Sequence, residues 1–192
     1  MGANDVITPA IRVERLTKRY GSGDTASLDI ARGELLCLIG PSGSGKTTLL
    51  KCLGAVIEPT SGRITLGDQL IYDGADGGWC CRDLRALRRD RIGFVFQAPY
   101  LIPFLNATDN VALLPMLAGT ANAVSRQRAR QMLDALDVAH RAGAQVAELS
   151  GGEQQRVAIA RALVTKPQII FADEPPGNLD TKTGHEIMEI LQ

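Results

Sequence analysis

The 192-residue chain is 45% hydrophobic and 22% charged, a balance that excludes a disordered or fibrous protein and allows a sizeable buried core. Its 21 basic and 21 acidic residues cancel, so no overall field favours nucleic acid or an anionic membrane; either partner would need a local patch. Residues 1–8 lack a basic start and a long apolar run, and the longest apolar stretches, such as 111–118 interrupted by Pro115, are too short to span a bilayer; we expect a cytosolic chain without a secretory leader.

Taken in order, residues 11–16 alternate Ile11 and Val13 against Arg12 and Glu14, the pattern of a half-buried strand. Tyr20 precedes a turn at 21–24, and residues 27–30 and 35–39 flank the Arg32-Gly33 turn as two further expected strands. The second of these runs into Gly40-Pro41-Ser42-Gly43-Ser44-Gly45-Lys46-Thr47, which fits G-x-x-x-x-G-K-[ST], and a helix-like run over 47–53 follows. A glycine loop opening a helix points backbone N–H groups and the positive end of the helix dipole at one spot, where a phosphate chain can sit. Gly43 and Gly45 let the backbone come close without a Cβ. Lys46 would reach the β- and γ-phosphates, the Thr47 hydroxyl would hold Mg²⁺, and Thr48 joins them in the first helical turn.

Beyond the turn at 59–62, Ile64 and Leu66 alternate with Arg63 and Thr65 as a strand, and 74–78 reads as a loop. Residues 83–90 read as a helix whose arginines, with Arg82 and Arg91 on either side, suit a solvated face. Residues 92–96 form a short apolar strand ending at Gln97. The stretch 98–147 has helical texture, with Ala129, Met132, Leu133 and Leu136 at helical spacing as a packing stripe and His140 beyond it on the surface. Cysteines at 37, 52, 80 and 81 have no metal-ligand spacing; Cys37 and Cys52 are expected as small core residues.

Ser150-Gly151-Gly152 opens a helix expected over 153–164, a second possible anion site, although an N-cap alone would account for the serine. The apolar run 169–172 ends in Asp173 and Glu174. Ligands bind beyond the carboxyl ends of parallel strands, so this pair suits a metal shell and the acceptance of a proton from an attacking water.

Residues 40–47, Gln97, 149–156 and 169–174, followed by Gly177-Asn178-Leu179-Asp180, occur in the order of an ABC-type ATPase, and the chain resembles the nucleotide-binding subunit of an ABC transporter. Glu-Gln-Gln-Arg after the glycines is similar to the branch that holds the lipoprotein-release, macrolide-export and FtsE-like ATPases. The resemblance implies an α/β fold: a P-loop NTPase (RecA-like) core with an N-terminal antiparallel β subdomain and an inserted α-helical subdomain. It divides a single domain 1–192 into 1–97 with 160–192 (β subdomain and core) and 98–159 (helical subdomain).

It implies Mg-ATP as ligand, Tyr20 stacked on adenine, and Gln97 sensing the γ-phosphate at the metal beside Asp173 and Thr47. Glu174, Lys46 and Gln97 would be catalytic, Ser150, Gly151 and Gly152 would contact ATP held by a second copy, and Asp180 would lie at the dimer seam. Two copies would close on two ATP molecules and drive integral membrane permease subunits from the cytoplasmic face, with no nucleic acid and no insertion of their own. Pro176 replaces the branch's usual threonine, the 20–33 segment is short, and the γ-phosphate histidine of the family falls beyond Gln192, so the resemblance implies weak hydrolysis; His185 lies too near the carboxylates to substitute. A signalling module without transport and an inactive fragment are the alternatives; an SMC-type ATPase lacks its coiled-coil insertion here.

Overall fold

The computed structural model describes residues 9–19 and 25–174 and divides into two compact units, 1–84 and 85–192, which are described separately. Tyr20, Pro175, Pro176, Gly177-Asn178-Leu179-Asp180 and His185 lie outside the described residues.

In the first unit the expected alternation becomes β1 (Ile11–Thr17), followed by β2 (Thr25–Ile30), α1 (Lys46–Leu53), β3 (Ser61–Leu66), β4 (Gln69–Asp73) and β5 (Gly78–Trp79). The strands form one antiparallel sheet ordered β2-β1-β3-β4-β5. Ile11, Val13 and Leu16 on β1 are buried with Ile64 and Leu66 on β3 and Ile71 and Tyr72 on β4, as a sheet with one covered face requires. Both ladders of β1 shift register after residues 13–14, and Arg15 adopts φ 49°. Opposite this bulge sits Gly62 at φ +99°, where a Cβ would lie 2.5 Å from the Arg15 carbonyl oxygen, so only glycine fits. Tyr72 donates its hydroxyl to the Pro59 carbonyl at 2.8 Å and meets Trp79 edge-on, with ring centroids 5.2 Å apart.

Arg63 faces Asp73 across β3 and β4, its Nε and Nη2 donating to Asp73 Oδ2 at 2.8 and 2.6 Å. The Arg63 hydrogen bond, helped by the Ala75 N–H, holds the Asp73 carboxyl below the usual aspartate range. A depressed carboxyl stabilises the fold fully above its unfolded pKa, about 4, and that contribution is lost as pH falls through the lower folded value. The melting temperature of the parent should therefore exceed that of Asp73→Asn at neutral pH, and the gap should close below about pH 4 as both side chains become neutral. Circular-dichroism melts at several pH values measure this; a gap independent of pH would rule out the ion pair as its source.

Residues 35–39 depart from expectation: they form no strand, and Leu35, Leu36 and Ile39 are exposed, Ile39 to 92%. An apolar run satisfies only the side-chain half of a strand; the other half is a hydrogen-bonding edge, and no described strand pairs with 35–39. Cys37, expected in the core, is exposed with this segment, whereas Cys52 is buried as expected. The 74–78 loop gives up its last residue to β5.

The second unit comprises α2 (Leu84–Arg91), β6 (Ile92–Val95), α3 (Ala107–Leu117), α4 (Asn122–Ala135), α5 (Gly151–Leu163) and β7 (Ile169–Ala172). β6 and β7 pair in parallel, Ile92 with Ile169 through Val95 with Ala172. Helices α3, α4 and α5 enclose a core of Val111, Ala129, Leu133, Leu136, Val157 and Ile159, so the stripe on α4 packs as expected, with Met132 at its edge. At Gly93 a Cβ would lie 2.8 Å from the Ala162 carbonyl oxygen: the missing side chain lets α5 lie directly on β6. On α2 only Leu87 is buried; Arg82 and Arg85 are exposed and Arg91 donates to Gln168, in keeping with a solvated face. Among the described residues no helix is long and apolar enough to cross a membrane.

Candidate functional site

In the first unit the glycine loop delivers the chain into α1 with Gly43 at φ +80° and Gly45 at φ +91°, conformations that side-chain-bearing residues adopt at a cost. A Cβ at either position would meet nothing within 4 Å, so the face over the loop is open. Gly45 is the N-cap of α1 and supplies no side-chain acceptor, and no acidic residue stands in the first turn. The start of a helix gathers backbone N–H groups and the positive end of its dipole, so the first turn of α1, beginning at Lys46, suits an anion. Lys46 arches back over the loop, its Nζ donating to the Gly40 and Pro41 carbonyls at 2.8 and 2.9 Å. Open glycines, an uncapped helix start and an arched ammonium together fit a phosphate chain. Gly40 also makes room inside the loop, since a Cβ there would strike Ser44 Oγ at 2.9 Å.

In the second unit the parallel register carries Gln97 and Glu174 two residues past the paired Val95 and Ala172. Their side chains meet, Gln97 Nε2 donating to Glu174 Oε2 at 3.0 Å. The Asp173 N–H extends the ladder by donating to the Val95 carbonyl at 2.9 Å. Glu174 sits at φ 48°, a left-handed conformation that a side chain occupies only where its surroundings hold it, and such positions gather at functional sites. The carboxylate is exposed and hydrogen-bonded to an amide, so it can accept a proton from water. Among the described residues no group of three or more His, Cys, Asp and Glu side chains gathers as a metal site, so a cation at Asp173 would draw on hydroxyl, amide, phosphate or water oxygens as well.

Ser150 caps α5. Its Oγ accepts from the Glu153 N–H at 3.3 Å, and Glu153 Oε2 accepts from the Ser150 N–H at 2.7 Å, a reciprocal capping box. The Ser150 N–H, more than the nearby Arg141 and His140, holds the Glu153 carboxyl below its usual range. His140, exposed as expected, lies 3.4 Å from Glu153 Oε1. A Cβ at Gly151 would meet nothing within 4 Å, so no described neighbour demands glycine there.

Several residues that shape the second unit carry no local signal in the sequence. Asn110, fully buried on α3, donates to the carbonyls of Ile102, Leu105 and Asn106 and accepts from the Ile102 N–H at 2.7 Å, fixing the loop after Gln97. Gln154 donates to the Val146 and Leu149 carbonyls before α5. A buried polar residue three or four positions from apolar neighbours is the only hint a sequence offers of such a role.

The sequence pattern of the family described as ABC transporter matches residues 24–177. The chain belongs to the ABC transporter family. This ABC transporter chain is 43% identical over 189 residues to the lipoprotein-releasing system ATP-binding protein LolD of Geobacter metallireducens, covering 95% of itself and 82% of that relative. It is 40% identical over 191 residues to the macrolide export ATP-binding/permease protein MacB of Burkholderia thailandensis, spanning 28% of that longer protein. Its fold matches the ATP-binding cassette MJ0796, solved as a dimer in a post-hydrolysis state bound to ADP and Pi, with a TM-score of 0.83 and 38% identity over 94% of this chain and 81% of that one. The ABC transporter chain thus has the α/β fold of an ATP-binding cassette, with its antiparallel sheet and α1 in the first unit and α3, α4 and α5 in the second.

Proposed function

We propose that this chain is the ATP-binding and ATP-hydrolysing subunit of an ABC transporter, working as a pair of identical copies on integral membrane permease subunits at the cytoplasmic face of the membrane. The observation that carries this reading is the open glycine loop, whose helix start has no side-chain cap and over which the Lys46 ammonium arches. The chain is read as one ATP-binding domain, with 98–159 as its helical part and 1–97 with 160–192 as its β part and core.

In this reading Lys46 and the first amides of α1 grip the phosphates, with residues 40–45 shaping the loop. Thr47, Asp173 and Gln97 would hold Mg²⁺, which would supply charge neutralisation for the phosphates. Glu174 accepts the proton of the attacking water and Gln97 orients it. Tyr20, outside the described residues, is assigned the stack on adenine. Ser150, Gly151 and Gly152 offer an open helix start to the nucleotide on the second copy, and Asp180 stands at the seam. Permease subunits dock on the loop after Gln97, where Tyr100 and Phe104 are 69% and 81% exposed while Asn110 fixes the backbone beneath them. The relatives' roles in lipoprotein release and macrolide export support transport over a signalling role.

Sedimentation velocity with Mg-ATP tests the paired state. Glu174→Gln, which should consume the nucleotide far more slowly, should sediment as a dimer with Mg-ATP and as a monomer without it, and Ser150→Phe should keep the same protein monomeric. A folded protein with no magnesium-dependent affinity for ATP would overturn the reading.

A further inference from the structure

Gln97 stands between two grips that come from a single helix. On its N-terminal side, the Phe96 carbonyl accepts from Gln155 Nε2 at 3.3 Å, and Gln155 is 3% exposed. On its C-terminal side, the carbonyls of Pro99 and Tyr100 both accept from one guanidinium, Arg161 Nη2 and Nη1 donating at 2.8 Å each. Gln155 and Arg161 lie six residues apart on α5, about 9 Å of helical rise, and they hold chain positions only three residues apart. Arg161 is cut off from solvent enough that burial pulls its pKa below the usual arginine value, yet among the described residues no carboxylate pairs with it. Among the described residues its guanidinium donates to the two loop carbonyls, an arrangement in which a planar fork cannot be replaced by a simple ammonium.

The other contacts of this segment are consistent with a held loop. Phe96 stacks on Phe94 with centroids 4.2 Å apart and receives Tyr100 edge-on at 5.5 Å. Tyr100 itself adopts φ 44°, a strained backbone that persists because its carbonyl is held. The same helix begins at Ser150. A displacement of the Ser150 end along the helix axis therefore carries Phe96, Pro99 and Tyr100 with it, and Gln97 between them.

We propose that Arg161 and Gln155 are positioning residues: α5 is a rigid bar whose capped start meets the nucleotide of a second copy and whose two grips set the Gln97 side chain against Glu174. This rests on the reading of the site given above and names the part of the chain that links its two halves within the second unit. Neither residue touches substrate; both act through Gln97.

The test uses the full chain and three variants, Arg161→Met, Arg161→Lys and Gln97→Ala, with Gln155→Leu as an independent probe of the first grip. Amide hydrogen exchange without nucleotide should show residues 96–101 losing protection in Arg161→Met while residues 151–160 of α5 keep it, with partial recovery in Arg161→Lys. ATP turnover of Arg161→Met should fall about tenfold in kcat with KM within about twofold. Arg161→Met combined with Gln97→Ala should turn over no more slowly than Gln97→Ala alone, because the second change has already removed what Arg161 positions. Unchanged exchange over 96–101, or losses that multiply in the double variant, would overturn the proposal. Should the parent chain itself not hydrolyse ATP, the functional reading fails while the exchange experiment still decides the clamp. If Arg161→Met does not fold, the same comparison between Arg161→Lys and the parent decides it.

Discussion

Glu174→Gln should cut ATP turnover by about 10² to 10⁴-fold, the range in which a positioned general base contributes to a rate. The substitution keeps the shape of the side chain and removes only its charge and its second acceptor. The neutral amide can still meet Gln97 Nε2, now 3.0 Å away, through its carbonyl oxygen, so the pairing of the two strand ends survives. Residues 40–47 of the glycine loop keep their sequence, since the substitution lies far beyond Thr47 in the chain. Nucleotide affinity should therefore stay within about twofold of the parent while the chemical step collapses, a pattern that marks loss of a group needed only in the transition state. Single-turnover phosphate release set beside equilibrium nucleotide binding separates the two quantities. An equal loss in both would mean that Glu174 holds the fold or the nucleotide rather than a proton.

Lys46→Ala should have the opposite signature, with affinity for Mg-ATP falling by about 100-fold or more. Two charge-assisted hydrogen bonds at roughly 1.5 kcal/mol or more each amount to about 3 kcal/mol, a little over two decades in the dissociation constant. The ammonium donates to the Gly40 and Pro41 carbonyls, so it is posed across the loop and needs little reordering to reach a phosphate. Alanine favours the helical position and removes no buried contact, because Lys46 begins the exposed end of α1. The melting temperature should thus be nearly that of the parent. Isothermal titration with Mg-ATP gives the affinity; a dissociation constant within about threefold of the parent would show that the loop amides alone grip the phosphates.

Much of the architecture is legible locally because burial leaves a period. Residues 11–16 alternate and form β1; Ala129, Leu133 and Leu136 recur at helical spacing and pack on one side of α4; Ser150 with Glu153 forms the capping box that the pattern invites. The alternation of Ile64 and Leu66 points to β3 alone, and β4 comes as an addition from the structure. Its signal is nonetheless in the chain: Gly67-Asp68, with Gly67 at φ 58° and Leu66 paired with Gln69, is a two-residue turn of the kind that joins strands. Residues 35–39 are the converse case, a strong apolar run that forms no strand, because pairing needs an edge supplied from elsewhere.

The chemistry divides along the same line. A glycine loop with a lysine and threonine at the helix start is a local design, so residues 40–47 suggest a phosphate ligand from the sequence, whereas the carboxylates after β7 gain their meaning only beside that loop motif. The meeting of Gln97 with Glu174, 77 residues apart, and the grip of Arg161 on Pro99 and Tyr100, 62 and 61 residues away, follow from the parallel register of β6 and β7 and from α5 lying on Gly93. Such contacts have no period, because a polar side chain reaching a distant carbonyl leaves its neighbours in sequence unconstrained. Order and spacing along the chain determined what this protein holds; only the packed strands and helix decided which side chains stand ready to act on it.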